Sequence, residues 1–555
     1  MSDLLVRGGS VVDGSGGPAF RADVRVRAGR IAEIAPILEP RGETEIDARG
    51  GLVTPGFIDA HTHYDPAVFW DPECDPMPLH GVTSMVIGNC SLSLAPLPAR
   101  HRDALVGAFG YIEDIPEVAF ERGVPWSWES WAEYRDALDR RGTAVNLVGL
   151  VGHSALRMSV MGDEAWQRVA TPAERDALAG LLEECLDAGG FGLSTSLADV
   201  DAQGRPVPSR RADDEEFVAL VERLGRRGSG VVEFVPLIDS QQGRLDGVER
   251  IHGVCRGAGV RASWTGFVAG RPEATRELLD QARRTQAEAG GVFPQFSPRP
   301  PGARVCLDRT ISFSFIPAWH KLVQADPDQK RRMLRDDWWR GKAREHWDRR
   351  TSPFFPNRAS RYPDVELTDP EGRTSSFADR IEAHGGHPSD ALADWLLDCD
   401  LDVGIRTRGR FDESQIAELL RDPALLVGSS DAGAHCQMFC GAGDSTLVLS
   451  RYVRDRRDLS MADAVRRLTS EVADHFGVRD RGRVEVGLAG DLVVLDLAEL
   501  EWGEEELVAD LPGGGERLRR PARGYRATVV GGVPTQLGGV PTDERPGRFL
   551  DPSSR

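Results

Sequence analysis

Two histidines one residue apart follow an apolar segment near the start of the chain, in GLVTPGFIDAHTHYD (51–65). The segment 57–59 reads as a short strand that leads directly into His61 and His63. Because residues i and i+2 of a strand point to the same side, both imidazoles can reach one ion. Neutral imidazole is a good ligand for zinc and similar metals. The pair predicts a metal site, with a solvated or core histidine pair as the alternative.

A second candidate is Asp431, at the end of an apolar run in VGSSDAGAHCQMFC (427–440). A carboxylate in this place can bind a metal and take a proton from metal-activated water, which makes Asp431 a candidate ligand and general base. The alternative is a helix cap, since Asp and Ser side chains satisfy the free N–H groups at a helix start. His435 follows four residues later and is a further candidate for binding metal or substrate.

Cys90, in MVIGNCSLSLAP, and His153, in GLVGHSALR, also end apolar runs. A thiolate can bind zinc, although most buried cysteines are inert. His153 could stabilise the oxyanion of a hydrolysis reaction, bind metal or substrate, or bond a neighbouring backbone group. Both residues therefore enter the list of candidates, Cys90 as a ligand and His153 as a catalytic residue.

The elements that must position these residues alternate between strands and helices. Helical segments with charged faces, such as 172–189 and 213–228, separate apolar strand-like runs at 83–90, 144–153, 190–197, 230–238, 260–267 and 424–433. This alternation predicts a parallel α/β architecture, most simply a (β/α)8 barrel of the TIM type, over residues 56–481. Strand ends of one polarity face the active site of such a barrel, so Cys90, His153 and Asp431 would meet there.

Three further segments stand apart from the predicted barrel. Strand-rich stretches with Gly-rich turns at 1–55 and 482–545 predict a small β-sandwich domain built from both ends of the chain, followed by a tail at 546–555. Residues 300–375 break the alternation with an aromatic, highly charged helical piece and a Pro- and Arg-rich loop. Insertions of this length are usually lids or partner surfaces, and we predict a lid, with a plain decoration as the alternative.

Composition excludes several classes of protein. The 555 residues include 68 Lys+Arg against 87 Asp+Glu, a net charge of −19, which argues against a nucleic-acid binder or a binder of anionic membranes. The eight cysteines include no CxxC pair, and no apolar stretch is long enough to span a bilayer. We therefore expect a cytoplasmic protein with a small-molecule substrate, and leave assembly into a homo-oligomer open.

Taken together, these motifs resemble the amidohydrolase superfamily and, within it, the D-aminoacylase or N-acyl-D-amino-acid deacylase branch. The resemblance extends from DLLVRGGSVVDGSG at the start, through HTH, GNCSLSLAPL and GSSDAGAH, to RGRVEVGLAGDLVVLD near the end. It implies zinc, an insertion that closes over the site, and metal binding by His61, His63, Cys90 and Asp431. The carbamylated lysine that bridges two metals in many superfamily members is excluded, because all three lysines lie between 321 and 342.

Two segments depart from this branch. The branch expects a histidine on barrel strand five, where the chain has VVEFVPLID (231–239), and a histidine followed by a lysine on strand six. On strand six the chain has ASWTGFVAG (262–270), with Trp264 near the expected histidine. Glu233 is a candidate replacement ligand, because carboxylate oxygens also bind zinc. We accordingly predict one zinc ion, with two as the alternative.

The predicted activity is hydrolysis of a C–N amide bond by metal-activated water, with Asp431 as the base. The resemblance implies deacylation of an N-acyl amino acid, with D configuration typical of the branch. Two alternatives stay open. One is hydrolysis of a cyclic amide, as in a hydantoinase or dihydroorotase, and the other is a degenerate barrel that serves as a binding or scaffold protein.

Overall fold

Strands from both ends of the chain form one sheet. The computed structural model describes residues 3–238, 240–305, 307, 311–313, 316–349, 355–356, 358–409 and 411–552. The N-terminal strands are β1 (Leu4–Val11), β2 (Phe20–Arg27), β3 (Arg30–Ala35), β4 (Thr44–Asp47) and β5 (Leu52–Pro55). They join β18 (Leu492–Leu495), β23 (Tyr525–Val530), β24 (Val533–Leu537) and β25 (Val540–Pro541) in a nine-stranded sheet of order β25-β24-β23-β18-β5-β1-β2-β3, with β4 beside β1.

Alternate residues of this sheet share one apolar cluster, as expected of strands whose side chains alternate between faces. Val24 and Val26 of β2 and Leu492 and Val494 of β18 belong to one apolar cluster. Both ends of the chain therefore contribute to a shared core. The structure records one continuous sheet here, so the two-sheet sandwich stays a prediction.

The central part of the chain forms eight parallel strands. They are β6 (Phe57–Asp59), β7 (Val82–Ile87), β8 (Asn146–Gly152), β9 (Gly192–Ser196), β10 (Val231–Val235), β11 (Arg261–Phe267), β12 (Val292–Phe296) and β17 (Leu426–Val427), in the sheet order β17-β12-β11-β10-β9-β8-β7-β6. Every residue of β8 is buried, which is typical of a parallel strand covered on both faces. The order follows the chain, as the strand–helix alternation predicts.

Backbone hydrogen bonds just beyond the strand ends join the first and last of these strands. The Ala60 N–H donates to Gly428 O at 2.7 Å, and the Asp431 N–H donates to His61 O at 2.9 Å. The sheet is therefore curled until β6 and β17 meet, in agreement with the predicted TIM-type barrel. The same bonds bring the histidine pair and Asp431 together, although they lie about 370 residues apart in sequence.

Helices follow the strands and cover the barrel. They are α1 (Ala67–Trp70), α2 (Arg102–Ile112), α3 (Glu117–Gly123), α4 (Trp131–Arg141), α5 (His153–Met161), α6 (Pro172–Asp187), α7 (Asp214–Arg227), α8 (Gln241–Ala258), α9 (Pro272–Gln286), α15 (Glu413–Arg421), α16 (Asp444–Leu447), α17 (Met461–Leu468) and α18 (Ser470–Phe476). Helix α7 shows the pattern that packs them: Phe217, Leu220, Val221 and Leu224 are buried at helical spacing. It ends at Gly228, whose φ of 66° suits a left-handed C-cap.

The insertion between β12 and β17 has a core of its own. It contains β13 (Gly302–Arg304), α10 (Pro317–Gln324), α11 (Pro327–Arg335), α12 (Asp337–Asp348), β14 (Val365–Thr368), β15 (Thr374–Ser376), α13 (Phe377–His384), α14 (Pro388–Asp398) and β16 (Gly404–Arg408). Aromatic residues such as Trp319 and Trp347 lie in a cluster separate from the barrel core. The unit runs on to Arg408, beyond the predicted 300–375, because β16 returns to pair with β13 and β14.

The remaining segments complete the surface. Two short hairpin-like pairs, β19 (Glu501–Trp502) with β22 (Ala522–Arg523) and β20 (Glu506–Leu511) with β21 (Gly515–Arg519), lie between β18 and β23. The predicted tail packs on the barrel over its described part, with Phe549 against Trp131, and its last three residues lie outside the described residues. Within the described part of the chain, no helix combines the length and apolar character needed to cross a bilayer.

Candidate metal centre

His61 and His63 lie side by side just beyond β6, and both are buried. Their Nε2 atoms are 3.2 Å apart. Two nitrogens bound to one tetrahedral zinc ion would lie about 3.3 Å apart, given Zn–N distances of about 2.0–2.1 Å. His61 Nδ1 donates to Gln295 Oε1 at 2.8 Å, which leaves the lone pair of its Nε2 directed at His63. The arrangement fits two ligands of one ion.

Cys90 and Asp431 approach the same two nitrogens. Cys90 Sγ lies 3.4 Å from His61 Nε2, close to the separation of about 3.5 Å expected for a sulfur and a nitrogen on one zinc ion. Asp431 Oδ1 lies 3.5 Å from His63 Nε2 and 3.9 Å from His61 Nε2. The four residues that the sequence selects as ligands therefore converge in one place. Asp431 caps no helix, because α16 begins at Asp444 with Gly443 as its N-cap residue.

The charge states of the two histidines and of Asp431 suit a cation. Burial lowers the pKa of His61, and it lowers the pKa of His63 to about 3, so both rings are neutral near pH 7. Burial would raise the pKa of Asp431, but its interactions with His435, His63 and His61 outweigh that effect and hold the pKa below its ordinary value. The centre therefore offers neutral imidazoles and an ionised carboxylate, which is the ligand chemistry that zinc uses.

Glu233 lies beside Cys90 and His61, on the side away from the other candidate ligands. Its Oε2 accepts the Cys90 N–H at 2.9 Å, and its Oε1 lies 3.7 Å from His61 Nδ1, the nitrogen opposite the one that faces the other ligands. Burial raises the pKa of Glu233 to about 8. The structure thus places Glu233 where it orients Cys90 and His61, and does not bring it into the cluster of ligand atoms.

On barrel strand six, Ser263 and not Trp264 faces the centre. Ser263, which lies opposite Glu233 in the strand register, faces the barrel interior and accepts a hydrogen bond from Gln295 Nε2 at 3.1 Å. Trp264 belongs to the hydrophobic core and packs against Phe267. Trp264, near the expected histidine, therefore points away from the barrel interior, since neighbouring residues of a strand point to opposite faces.

His153 is held in a separate buried network. Its Nδ1 lies 3.0 Å from Thr195 Oγ1 and its Nε2 lies 2.8 Å from Glu216 Oε1. Glu216 in turn pairs with Arg157. With both ring nitrogens occupied, His153 offers no free nitrogen to metal or substrate in this arrangement, and its catalytic role stays a prediction.

His435 lies beside the centre, as the sequence suggests. Its Nε2 is 3.7 Å from Asp431 Oδ2, and 13% of its side chain is exposed, so it faces the entrance. Burial lowers its pKa as well. His435 is placed to contact whatever molecule reaches Asp431.

Two residues of the site were missed by the sequence reasoning. Glu113 follows α2, and its Oε1 lies 3.6 Å from His63 Nε2. No sequence signal marks it, because it follows a helix and not a strand. Gln295, which orients His61, had a weak signal, since it is a polar residue within the apolar run VFPQF of β12.

The backbone at the site adopts conformations that are unusual for residues other than glycine. Cys90, Asp431 and His435 have φ values of 55°, 62° and 49°. A left-handed conformation costs about 1–2 kcal/mol per residue, and such conformations concentrate at functional sites. Gly433 (φ +88°) allows the loop to press against the histidine pair, because a Cβ there would lie 2.8 Å from the carbonyl carbon of His63.

Comparison with known proteins agrees with this geometry. The model of the amidohydrolase family matches residues 44–311 and 372–536. The N-acyl-D-aspartate deacylase of Alcaligenes xylosoxydans xylosoxydans is 28% identical over 99% of this chain and 95% of its own length. The D-aminoacylase of the same organism is 27% identical, over 99% and 97%. The N-acyl-D-glutamate deacylase of Bordetella bronchiseptica, solved with zinc and a phosphonate inhibitor, has a TM-score of 0.67 at 26% identity, with 99% of each chain covered. The chain belongs to the amidohydrolase family.

Proposed function

We propose that this chain is a zinc-dependent deacylase that hydrolyses the amide bond of an N-acyl amino acid, with the D enantiomer preferred. The observation that carries the proposal is the convergence of Cys90 and Asp431 on the ring nitrogens of the buried pair His61 and His63, at separations that suit ligands of a metal centre. Relatives named as deacylases of N-acyl-D-amino acids, similar over almost the whole chain, support the substrate class.

The residues divide the reaction between them. A bound divalent ion supplies a Lewis acid that polarises the amide carbonyl and lowers the pKa of water. Asp431, ionised at neutral pH, accepts the proton of the attacking water. As water oxygen adds to the carbonyl carbon and the C–N bond breaks, the same carboxylate returns that proton to the leaving nitrogen. The products are a carboxylic acid and a free amine.

Residues around the histidines fix the orientation of the ligand rings. Gln295 fixes the ring of His61 through Nδ1, and Ser263 fixes the amide of Gln295 in turn. Ligand histidines are commonly held through their second nitrogen in this way, which sets both tautomer and ring direction. The chain thus supplies an oriented ligand set on barrel strands one, two and eight.

One zinc ion is proposed, with two as the alternative. Barrel strands five and six present Glu233 and Ser263 at their inward positions in place of histidines. A thiol such as Cys90 binds zinc as the thiolate and must stay reduced, which supports the cytoplasm as the proposed compartment.

We further propose that the insertion covers the site as a lid. The ring of His320, in α10, lies 5.6 Å from the ring of Tyr111, two residues before Glu113. The Arg304 N–H donates to Met438 O at 2.7 Å, in the loop that also carries His435. The insertion thus touches both segments that border the centre on its open side.

A substrate panel tests the function. Zinc-loaded protein would be assayed with N-acyl-D-amino acids, their L enantiomers and a cyclic amide such as a hydantoin, with amine release and ring opening scored separately. We expect amine release from the D series, and its loss in Asp431→Asn. Ring opening without amine release would establish cyclic-amide hydrolysis instead, and a metal-loaded protein that cleaves none of them would support a binding role.

A further inference from the structure

The segment between β7 and β8 sends one carboxylate into the metal centre. Glu113 directly follows α2, and its N–H donates to Phe109 O at 2.9 Å. Its own carbonyl oxygen accepts the His435 N–H. The backbone of Glu113 is therefore held on one side by a helix and on the other by the loop that carries Asp431. A side chain anchored in this way has a defined position.

The side chain of Glu113 is buried, and no Lys or Arg in the described part of the chain pairs with it. Only 2% of its side chain is exposed, and its ion-pair neighbours among the described residues are His63 and His435. Both of these rings are themselves kept neutral by burial. Burial, and after it the nearby carboxylates with Asp431 first, raise the pKa of the Glu113 carboxyl group well above its ordinary value. A cation bound beside these carboxyl groups would favour their ionised, metal-binding form.

The distances around Glu113 are those of shared ligands and not of hydrogen bonds. Its Oε1 lies 3.6 Å from His63 Nε2, and its Oε2 lies 4.0 Å from His435 Nε2. Both separations exceed a hydrogen bond, so a protonated Glu113 would have no acceptor in these rings. Two atoms bound to one tetrahedral ion are separated by about 3.3–3.6 Å, which matches the approach to His63. His63, Glu113 and Asp431 each offer one ligand atom within 4.8 Å of the others.

We propose that Glu113 is a ligand of the metal centre and binds the ion together with His63 and Asp431. The ligand set is thereby completed from a helical segment outside the barrel strands, in place of the histidines that strands five and six lack. This inference rests on the proposed function, because it requires that the protein bind a metal.

Metal affinity measured on the whole protein tests the inference. Wild type, Glu113→Gln and the matched control Glu117→Gln would be stripped of metal and titrated with zinc against a chelator of known affinity. Glu117 is an exposed carboxylate four residues further along the same segment, so the control makes the same charge change outside the centre. We expect Glu113→Gln to bind zinc at least about 100-fold more weakly than wild type, beyond the 10–100-fold typical of residues that only orient a ligand. Glu117→Gln should bind as wild type does.

Thermal unfolding of the same proteins separates loss of a ligand from loss of the fold. Without metal, Glu113→Gln should unfold at the same temperature as wild type or higher, because glutamine has the size of the carboxyl group and carries no charge among the neighbouring carboxylates. Added zinc should raise the unfolding temperature of wild type and of Glu117→Gln, and raise that of Glu113→Gln far less, since binding to the folded state alone stabilises it.

The possible outcomes test the ligand role of Glu113 separately from the proposed deacylase function. Equal zinc affinity in Glu113→Gln and wild type would overturn the ligand role of Glu113 and leave the deacylase proposal intact. Unchanged affinity with lost turnover would make Glu113 a proton-transfer residue instead, which also overturns the inference. A wild-type protein that binds no divalent metal would remove the proposed function itself.

Discussion

The two halves of the barrel rim contribute differently to the candidate metal centre. Barrel strands one, two and eight end in His61, His63, Cys90 and Asp431. His61 Nε2 lies 3.2 Å from His63 Nε2, 3.4 Å from Cys90 Sγ and 3.9 Å from Asp431 Oδ1. The opposite strands, β10 to β12, present residues that contact these groups only from outside the cluster. We call the first set the ligand rim and the second set, Glu233, Ser263 and Gln295, the support rim.

The support rim is connected to the ligand rim by direct contacts. Glu233 accepts the N–H of Cys90, and Gln295 holds His61 while resting on Ser263. Strands five and six are therefore still connected to the centre by hydrogen bonds, although neither carries a histidine. The difference shows how one half of a barrel rim can carry the candidate metal ligands while the other half orients them.

The largest effect is expected on the ligand rim. Replacing Asp431 with Asn removes the base and one charged ligand while keeping the side-chain shape. Turnover should fall by about 10²–10⁴-fold, the range typical of general acid–base catalysis. Steady-state amine release would measure the loss, and an unchanged far-UV circular dichroism spectrum would show that the fold is intact. An Asn variant with wild-type turnover would remove Asp431 from the mechanism.

A smaller effect is expected on the support rim. Gln295→Leu frees His61 Nδ1 without removing a ligand, so zinc affinity should fall by about 10–100-fold. Titration against a chelator would measure this, with Gln242→Leu on the exposed surface of α8 as the matched control. A Gln295→Leu variant that binds zinc as wild type does would show that the two halves of the rim are independent.

Placing histidines on the support rim should abolish the difference between the two halves of the rim. Glu233→His combined with Ser263→His places two imidazoles at inward positions near Cys90, as the branch expects. We expect bound zinc to rise from about one to about two ions per chain, measured by elemental analysis after dialysis. Ser263→Ala with Glu233→Gln serves as the control without new ligands. A double-histidine protein that folds and still binds one ion would show that the far half lacks room for a second site.

The smallest effect on metal binding is expected at His153. His153→Gln should leave zinc content as in wild type, because both ring nitrogens are occupied away from the ligand cluster. It should lower the free energy of unfolding by about 1–3 kcal/mol, the cost of leaving the buried Oε1 of Glu216 without its hydrogen bond while Oε2 stays paired with Arg157. Denaturant unfolding and elemental analysis would measure the two effects. Loss of turnover at unchanged stability would instead support the catalytic role predicted from the sequence.

Candidate site residues at strand ends could be predicted from the sequence, whereas their partners on helices could not. Strand ends of one polarity meet at one rim, so an apolar run followed by a reactive residue was enough to bring Cys90 and Asp431 to the histidine pair. His153 follows β8 by the same rule, yet its ring is taken up by Glu216 of helix α7. Such a partner comes from another element, and no local pattern announces it.

What the sequence alone determined is the barrel, its strand order and the candidate ligands at its strand ends, because apolar periodicity and chain order act locally. The tertiary structure alone decided which face of strand six looks inward, since a shift of one residue exchanges Ser263 for Trp264. It also decided that Glu113 reaches His63, because that approach depends on how α2 packs against the barrel and on the bond between Glu113 and His435. Contacts between elements far apart in the chain are set by packing, which no single segment encodes.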